Sequence, residues 1–266
     1  MTDPAVLVEP DGADPAVAVI TMNRPQRRNA LTVELKEALL AAVTGVAEDR
    51  GVRAVVLTGS GGGFCVGQDL REHAATLQAG DGAQFDTVRR HYNPIVSALA
   101  GMPKPVVAAI NGSCVGAGMG FALACDLRVA AAGATFATAF AAIGLTADSG
   151  LSPSLVHSLG AARAAELLLL GEPFSAEQAE QWGLVRAVVP PEQVLDATLE
   201  LARTLAAGPT LAYAEIKKAL VLGAVSALDE VLAAEAEAQA RLGRTKDHVG
   251  AVEAFLAKRR PNFEGT

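Results

Sequence analysis

Cysteine is scarce in this chain and does not pair. Cys65, Cys114 and Cys125 are odd in number, lie in apolar stretches and form no CxxC spacing. Neither a disulfide framework nor a zinc site is indicated, and a reducing, cytoplasmic location is expected. Histidine is as thin: His73, His91, His157 and His248 stand without ligand spacing, so no metal centre is expected. Basic residues are in deficit, 22 Lys and Arg against 29 Asp and Glu, for a net charge of -7. That balance excludes a nucleic-acid binder, whose phosphate affinity needs a concentrated excess of Lys and Arg. Also missing are the GxxxxGK[ST] phosphate loop, the GxSxG elbow, HExxH and GxGxxG. ATP hydrolysis, serine hydrolysis, zinc proteolysis and a nicotinamide-binding fold therefore have no support.

No membrane or export signal stands out either. The first fifteen residues carry Asp3, Glu9, Asp11 and Asp14 with no basic start and no apolar run, so no signal peptide is expected. The uncharged stretch 105–125 is long enough to span a bilayer by length alone. It holds Asn111, Ser113 and four glycines, has no aromatic belt and runs directly into Asp126 and Arg128. It reads as a buried strand, turn and helix, and the sequon Asn111-Gly112-Ser113 inside it is expected to go unused.

What is present is a core. At 266 residues and 51% hydrophobic composition, the chain can fold as one large domain or a core with a helical appendage. Its most informative feature is a pair of glycine-punctuated segments, Phe64-Cys65-Val66-Gly67-Gln68-Asp69 and Asn111-Gly112-Ser113-Cys114-Val115-Gly116-Ala117-Gly118-Met119-Gly120. Each follows a β-branched run and reads as backbone leaving a strand toward a helix. Two such turns side by side can aim two backbone N–H groups at one oxygen, which points to enolate or acyl chemistry.

The pattern predicts strands at 6–8 and 17–22 as a hairpin, then a helix over 32–49 capped by Thr32 with Leu35, Leu39, Ala42, Val43 and Val46 at helical spacing. A strand at 54–58 leads into the first glycine turn. Residues 69–100 read as short helices around a mobile loop at Gly80-Asp81-Gly82, then a helix near 85–99. Strands at 105–110 and 127–131 flank a small-residue helix at 116–125, so a β-β-α tendency recurs without sequence repetition. Helices are predicted at 161–170, 175–182, 191–207 and 210–222, and one long helix at 227–256. Ser175 and Gln178 form a capping-box pattern, and the long last helix points to an interface between subunits.

Asn23-Arg24-Pro25, Asn29-Ala30-Leu31, the two glycine turns and Trp182-Gly183-Leu184-Val185, in that order, resemble the enoyl-CoA hydratase/isomerase (crotonase) superfamily. The resemblance implies an α/β fold, a crotonase-like spiral of β-β-α units over 1–200 with a helical C-terminal oligomerisation region over 201–266. It also implies assembly as a homotrimer or dimer of trimers. The ligand it implies is an acyl-CoA thioester, with coenzyme A part of the substrate and no separate cofactor. The two N–H groups on the thioester oxygen would come from Val66 and Ala117, and Val66, bulkier than the usual alanine, would narrow the acyl slot. Gly67, Gln68, Asp69, Leu70 and Gly116 would line the same site. Backbone around Arg28 and Ala30 would contact the nucleotide, and Phe255 and Lys258 would reach a neighbouring subunit's coenzyme A. Basic clusters at Arg24, Arg27 and Arg28 and at Lys258, Arg259 and Arg260 suit its phosphates, or serve as ordinary surface charge.

The acid/base residue is where the chain departs from its best-known relatives. Family hydratases carry one glutamate at the end of the second glycine turn and another further on; the matching positions here are Gly120 and Phe140. Neither transfers a proton. Asp148, in Gly144-Leu145-Thr146-Ala147-Asp148-Ser149-Gly150, resembles the aspartate that faces the acyl chain in isomerase-type members. One carboxylate above an enolate can lift a proton from one carbon and return it to another, which suits isomerisation better than water addition. Capping of the helix after it is the other reading of Asp148. Glu72 reads as a solvated helix-start residue or a pocket residue, Asp69 as a cap whose backbone meets ligand, and Asp126 and Arg128, on one strand face, as structural ion-pair partners of neighbouring elements. The expected activity is acyl-CoA isomerisation, with enoyl-CoA hydration or non-catalytic CoA-ester binding as the alternatives.

Overall fold

The structure, a computed structural model, describes residues 3–79 and 85–266. The predicted loop at Gly80-Asp81-Gly82 lies outside the described residues. The chain opens with β1 (Val6–Pro10), β2 (Val17–Met22) and α1 (Val33–Glu48). Three β-β-α units follow: β3 (Ala54–Gly59) and β4 (Gly63–Cys65) before α2 (Leu70–Ala79) and α3 (Asn93–Gly101); β5 (Val106–Ile110) and β6 (Ser113–Val115) before α4 (Ala117–Ala124); and β7 (Leu127–Ala131) and β8 (Thr135–Ala137) before α5 (Leu151–Leu170). The chain continues through β9 (Phe174–Ser175), α6 (Ala176–Gln181), β10 (Ala187–Val189), α7 (Val194–Ala206), α8 (Thr210–Gly223), α9 (Leu228–Leu242) and α10 (Lys246–Leu256).

Each unit contributes one strand to each of two sheets. The larger has the order β1-β2-β3-β5-β7-β10, the smaller β4-β6-β8-β9. Pairing is antiparallel at β1–β2, with Val6 opposite Met22, and at β8–β9; the other pairs are parallel. The central strands β3 and β5 are buried at every residue, which is why they read as unbroken apolar runs rather than alternating ones. On one side of the large sheet, α1 buries Leu35, Leu39, Val43 and Val46. On the other, α7 lays Leu199, Ala202 and Ala206 over Val17, Ala54, Val56 and Ala109. α7 thus runs across residue 200 and belongs to the sheet packing.

The predicted caps form. The Thr32 hydroxyl accepts from Leu35 N at 3.3 Å, and Ser175 and Gln178 close a capping box on α6. Three predictions change. The single helix expected over 227–256 is two helices, α9 and α10, because Gly243 ends the first and Thr245 caps the second, accepting from His248 N at 3.1 Å. The helix expected from 161 starts at Leu151 and kinks at Gly160, whose φ of 78° is left-handed. The helix near 85–99 is interrupted by a π turn at Val88–Tyr92, which ends two residues before Pro94, and Pro94 has no N–H for the 3.6-residue ladder.

The two sheets and α4 meet closely at glycine. A Cβ on Gly118 would stand 2.4 Å from Cys65 O and 2.8 Å from Cys65 Sγ. Alanine ordinarily improves a helix interior over glycine, but here the clash with main chain decides the sign. Gly118→Ala is expected to cost about 2 kcal/mol of stability, and an unchanged melting temperature by calorimetry would refute this close packing.

Candidate active site

The first glycine turn is built by two segments far apart in sequence. Asn29 is fully buried with φ 57°, donates to Ser60 O at 3.1 Å and Gly63 O at 2.8 Å, and accepts from Arg24 N at 2.8 Å. Asparagine suits this left-handed position because its short amide satisfies the local backbone. Next to it, Leu31 N donates to Gly67 O at 2.8 Å and Asp69 N to Leu31 O at 3.1 Å. Arg24 donates to Asp69 Oδ2 at 3.1 Å and also to Ala30 O. The Asn23-to-Leu31 motif is therefore a clamp on the turn at 66–69.

The second turn comes against it. Gly67, at φ 79°, passes so close that a Cβ there would lie 3.1 Å from Val115 O and 3.4 Å from Ala117 N. Gly116, at φ 56°, reverses the chain so that Ala117 opens α4. Among the described residues, the N–H groups of Gln68 and Ala117 donate to no protein acceptor. Both residues line one cleft of ≈ 530 Å³. Val66 differs from the expectation. Its N–H donates to Arg28 O at 3.2 Å, so the clamp itself takes that donor; the Gly67 N–H faces the Cys65 sulfur, and among the described residues the N–H of this turn with no protein acceptor is that of Gln68.

The cleft gathers most of the predicted residues. Ala30, Val66, Gly67, Gln68, Asp69 and Leu70 line it from one side, and Gly116, Ala117, Phe140 and Asp148 from the other. Arg28, Phe255 and Lys258 do not line it, although Arg27 does. Arg28 packs its Cβ side on Gly63, while Phe255 is 82% exposed at the end of α10. A groove of ≈ 560 Å³ between α8 and α9 contains none of the predicted catalytic residues.

Asp148 is half-buried in the cleft wall. Burial raises its pKa above the usual carboxylate value, while the Ser149 hydroxyl, donating to Oδ1 at 2.8 Å, and the Lys36 charge pull the other way. α5 carries no side-chain cap; the Asp148 main-chain O accepts from Leu151 N at 3.0 Å instead. The capping reading of its carboxylate therefore falls away. Asp69 behaves in the opposite sense. Burial works against its charge, yet the Arg24 guanidinium and the N–H groups of Glu72 and Arg71 hold its carboxyl below the usual range.

Position 120 explains the absent glutamate. A Cβ on Gly120 would lie 2.5 Å from Ser149 Cβ and 2.6 Å from Ser149 O. The loop that carries Asp148 occupies the space a side chain at 120 would need. Phe140, at the other matching position, adds an apolar wall to the cleft.

The remaining acids are structural. Glu72 accepts from Val33 N at 3.1 Å and so docks on the start of α1. Asp126 pairs with Lys217 at 2.8 Å, and Arg128 donates to Cys125 O at 2.7 Å. Asn111 donates to Gly59 O and Gly61 O, each at 2.7 Å, which leaves the sequon amide engaged by main chain. All three cysteines are free and buried. Sequence reasoning missed Tyr92, which lines the cleft, and Lys36, which is fully buried behind it. A signal for Lys36 existed: it shares a helical row with Leu40, Val43 and Ala47, which pack on the core.

Known proteins resemble the chain over almost its whole length. Residues 12–266 match the family described as Enoyl-CoA hydratase/isomerase. The chain is 41% identical to 1,2-epoxyphenylacetyl-CoA isomerase of Escherichia coli (strain K12) over 249 residues, 94% of this chain and 95% of the relative. It is 35% identical to 2,3-dehydroadipyl-CoA hydratase of the same organism, again over 94% of this chain and 95% of the relative. Among solved structures, an enoyl-CoA hydratase/isomerase of Mycobacterium abscessus superposes with TM-score 0.93 at 48% identity, covering 98% of this chain and 100% of that one.

Burial, by raising the pKa of Asp148, ties the stability of the fold to pH. An acid whose pKa is raised on folding binds protons more readily in the folded state, so stability is lost as pH rises from its unfolded value through the folded one. Asp148→Asn is expected to melt at a higher temperature than wild type at pH 7, with the difference closing at acid pH below the ordinary carboxylate range. A melting temperature lower than wild type at pH 7 would show that the buried charge is not the cost inferred here.

Proposed function

The chain belongs to the enoyl-CoA hydratase/isomerase (crotonase) family, and from that membership we propose that it isomerises an acyl-CoA thioester through an enolate, with Asp148 as the acid/base. The reading rests on one observation above others: main chain of Ser149 fills the room for a residue side chain at 120 and leaves Asp148 as the cleft carboxylate free to move a proton. Asp69, also in the cleft wall, is held ionised by Arg24 and the start of α2.

The thioester oxygen sits between the Gln68 and Ala117 N–H groups. Removing a proton next to a thioester places negative charge on that oxygen, and two fixed donors lower the barrier by several kcal/mol without reorganising. The N-terminus of α4 adds its partial positive charge at the same point. Asp148 as carboxylate takes the C2 proton of a 3-enoyl thioester, the C2–H electrons move toward the oxygen, and Asp148 returns the proton to C4 as the carbonyl re-forms. A pKa raised by burial suits a group that must both accept and give that proton. The 41% identity to a protein named as an isomerase supports the same direction.

Coenzyme A enters along Arg27 and Ala30, whose neighbours Arg24 and Arg28 are committed to shaping the turn. Assembly into homotrimers or dimers of trimers, through 201–266, belongs to the same proposal. Its support is the apolar surface that α8, α9 and α10 leave exposed, with Leu220 at 70%, Leu228 at 70% and Phe255 at 82%. Phe255 and Lys258 would complete the nucleotide site of an adjacent subunit.

The discriminating assay offers 3-enoyl-, 2-enoyl- and ring-epoxide CoA esters to wild type, Asp148→Asn and Gly120→Glu. Wild type is expected to isomerise, Asp148→Asn to bind substrate with kcat lower by about a thousandfold, and Gly120→Glu to gain no hydration. Full turnover in Asp148→Asn, or efficient hydration of a 2-enoyl-CoA by wild type, would overturn the mechanism; binding without turnover of any ester would favour a CoA-ester binding protein.

A further inference from the structure

Lys36 is a buried cation that this mechanism leaves without a task. It is fully buried near the start of α1, and among the described residues no carboxylate stands within salt-bridge distance of its ammonium. Burying a charge without a direct counter-ion is unfavourable, and an aliphatic side chain would pack there without that cost. What the ammonium touches is informative. Nζ donates to Gln68 Oε1 at 3.1 Å and to Thr87 Oγ1 at 2.6 Å, and it stands 5.3 Å over the ring of Tyr92.

Gln68 is therefore held at both ends. Its Oε1 receives Lys36 and the Tyr92 hydroxyl, and its Nε2 donates to Asp69 O at 3.3 Å. Its main chain is flanked by the two hydrogen bonds to Leu31, while its own N–H has no protein acceptor among the described residues and the residue lines the cleft. The π turn at Val88–Tyr92 supplies the other parts of the cage: Thr87 hydrogen-bonds His91 Nδ1 at 3.0 Å, and Tyr92 packs edge-on to Phe121 at 6.0 Å. We propose that Lys36 is a positioning residue for the oxyanion site: it fixes the Gln68 side chain so that the Gln68 N–H stays aimed into the cleft, and it places a positive charge behind the oxygen that becomes negative. The inference rests on the reading of the Gln68 N–H as an oxyanion donor.

The charged groups around Lys36 agree with such a role. Burial lowers its pKa, and Glu72, Asp148, Asp69 and Glu37 act from a distance to keep it protonated. His91, facing it from the π turn, is pushed toward its neutral form by burial and by the Lys36 charge. Tyr92 is held protonated by burial, so its hydroxyl remains a donor. In return Lys36 favours the ionised form of Asp148.

Exchange of the α-protons of a saturated acyl-CoA in D2O, followed by NMR, reads enolate formation whichever product the enzyme makes. Lys36→Met is expected to bind the saturated thioester much as wild type does while its exchange rate falls about tenfold to a hundredfold, less than loss of an oxyanion donor itself. The acid limb of its pH profile moves to higher pH, because Asp148 has lost a favourable charge, and Lys36→Arg restores part of both. Gln68→Met keeps the main-chain N–H and provides an independent variant should Lys36→Met not fold; it too should slow exchange, and the double variant should lose less than the product of the two single losses. Wild-type exchange and an unshifted pH limb in Lys36→Met, or an unimpaired Gln68→Met, overturn the proposal. A wild type that exchanges no α-proton overturns the enolate reading beneath it instead.

Discussion

The site depends on α4 lying against its neighbours with no side-chain volume between. Glycine recurs at every second position from 116 to 120, and each meets a different demand. Gly116 supplies the left-handed turn that opens the helix, Gly118 rests on Cys65, and Gly120 rests on Ser149. The close packing at Gly118 brings β4 and its following turn against the start of α4, and this apposition puts Gln68 and Ala117, whose N–H groups have no protein acceptor among the described residues, on one cleft. The packing at Gly120 pulls in the loop that ends at α5, with Asp148 upon it. Both halves of the proposed chemistry are set by how near main chain can come to main chain.

Two aspartates share the cleft wall and are driven apart by their surroundings. Asp69 meets a guanidinium and the first N–H groups of α2, and stays ionised. Asp148 meets one hydroxyl and a buried environment, and holds its proton more readily. The chemical difference lies in hydrogen-bond donors rather than in residue type. Lys36 bears on both carboxylates without contacting either.

The sequence is legible where the physics is local. The unbroken apolar runs of β3 and β5, the Thr32 cap and the Ser175 capping box depend on neighbours a few residues away, and the structure holds them as expected. The strands β8, β9 and β10 span three, two and three residues, too short for any periodicity to register. Gly243 and Thr245 outweighed an Ala/Leu/Glu pattern that on its own reads as one helix. In the site, the family resemblance implies Ala117 and Asp148, and both line the cleft, whereas for the first turn it implies Val66, whose N–H is taken by Arg28 O. Which N–H is free there is decided by the carbonyl of Arg28, a contact between segments that no spacing rule within the turn contains. The burial of Lys36 is legible in its helical row with Leu40, Val43 and Ala47, but its partners Gln68 and Thr87 come from elsewhere in the chain and are not.

The packing of Ser149 on Gly120 also bears on how such a chain can change over generations. A point substitution that adds a carboxylate at 120 meets main-chain atoms rather than space, and the loop in its way carries Asp148. Room for a side chain at 120 therefore requires 144–150 to move, and Asp148 moves with it. Change at position 120 is thus tied to change in the 144–150 loop by the distance between one absent Cβ and one carbonyl oxygen.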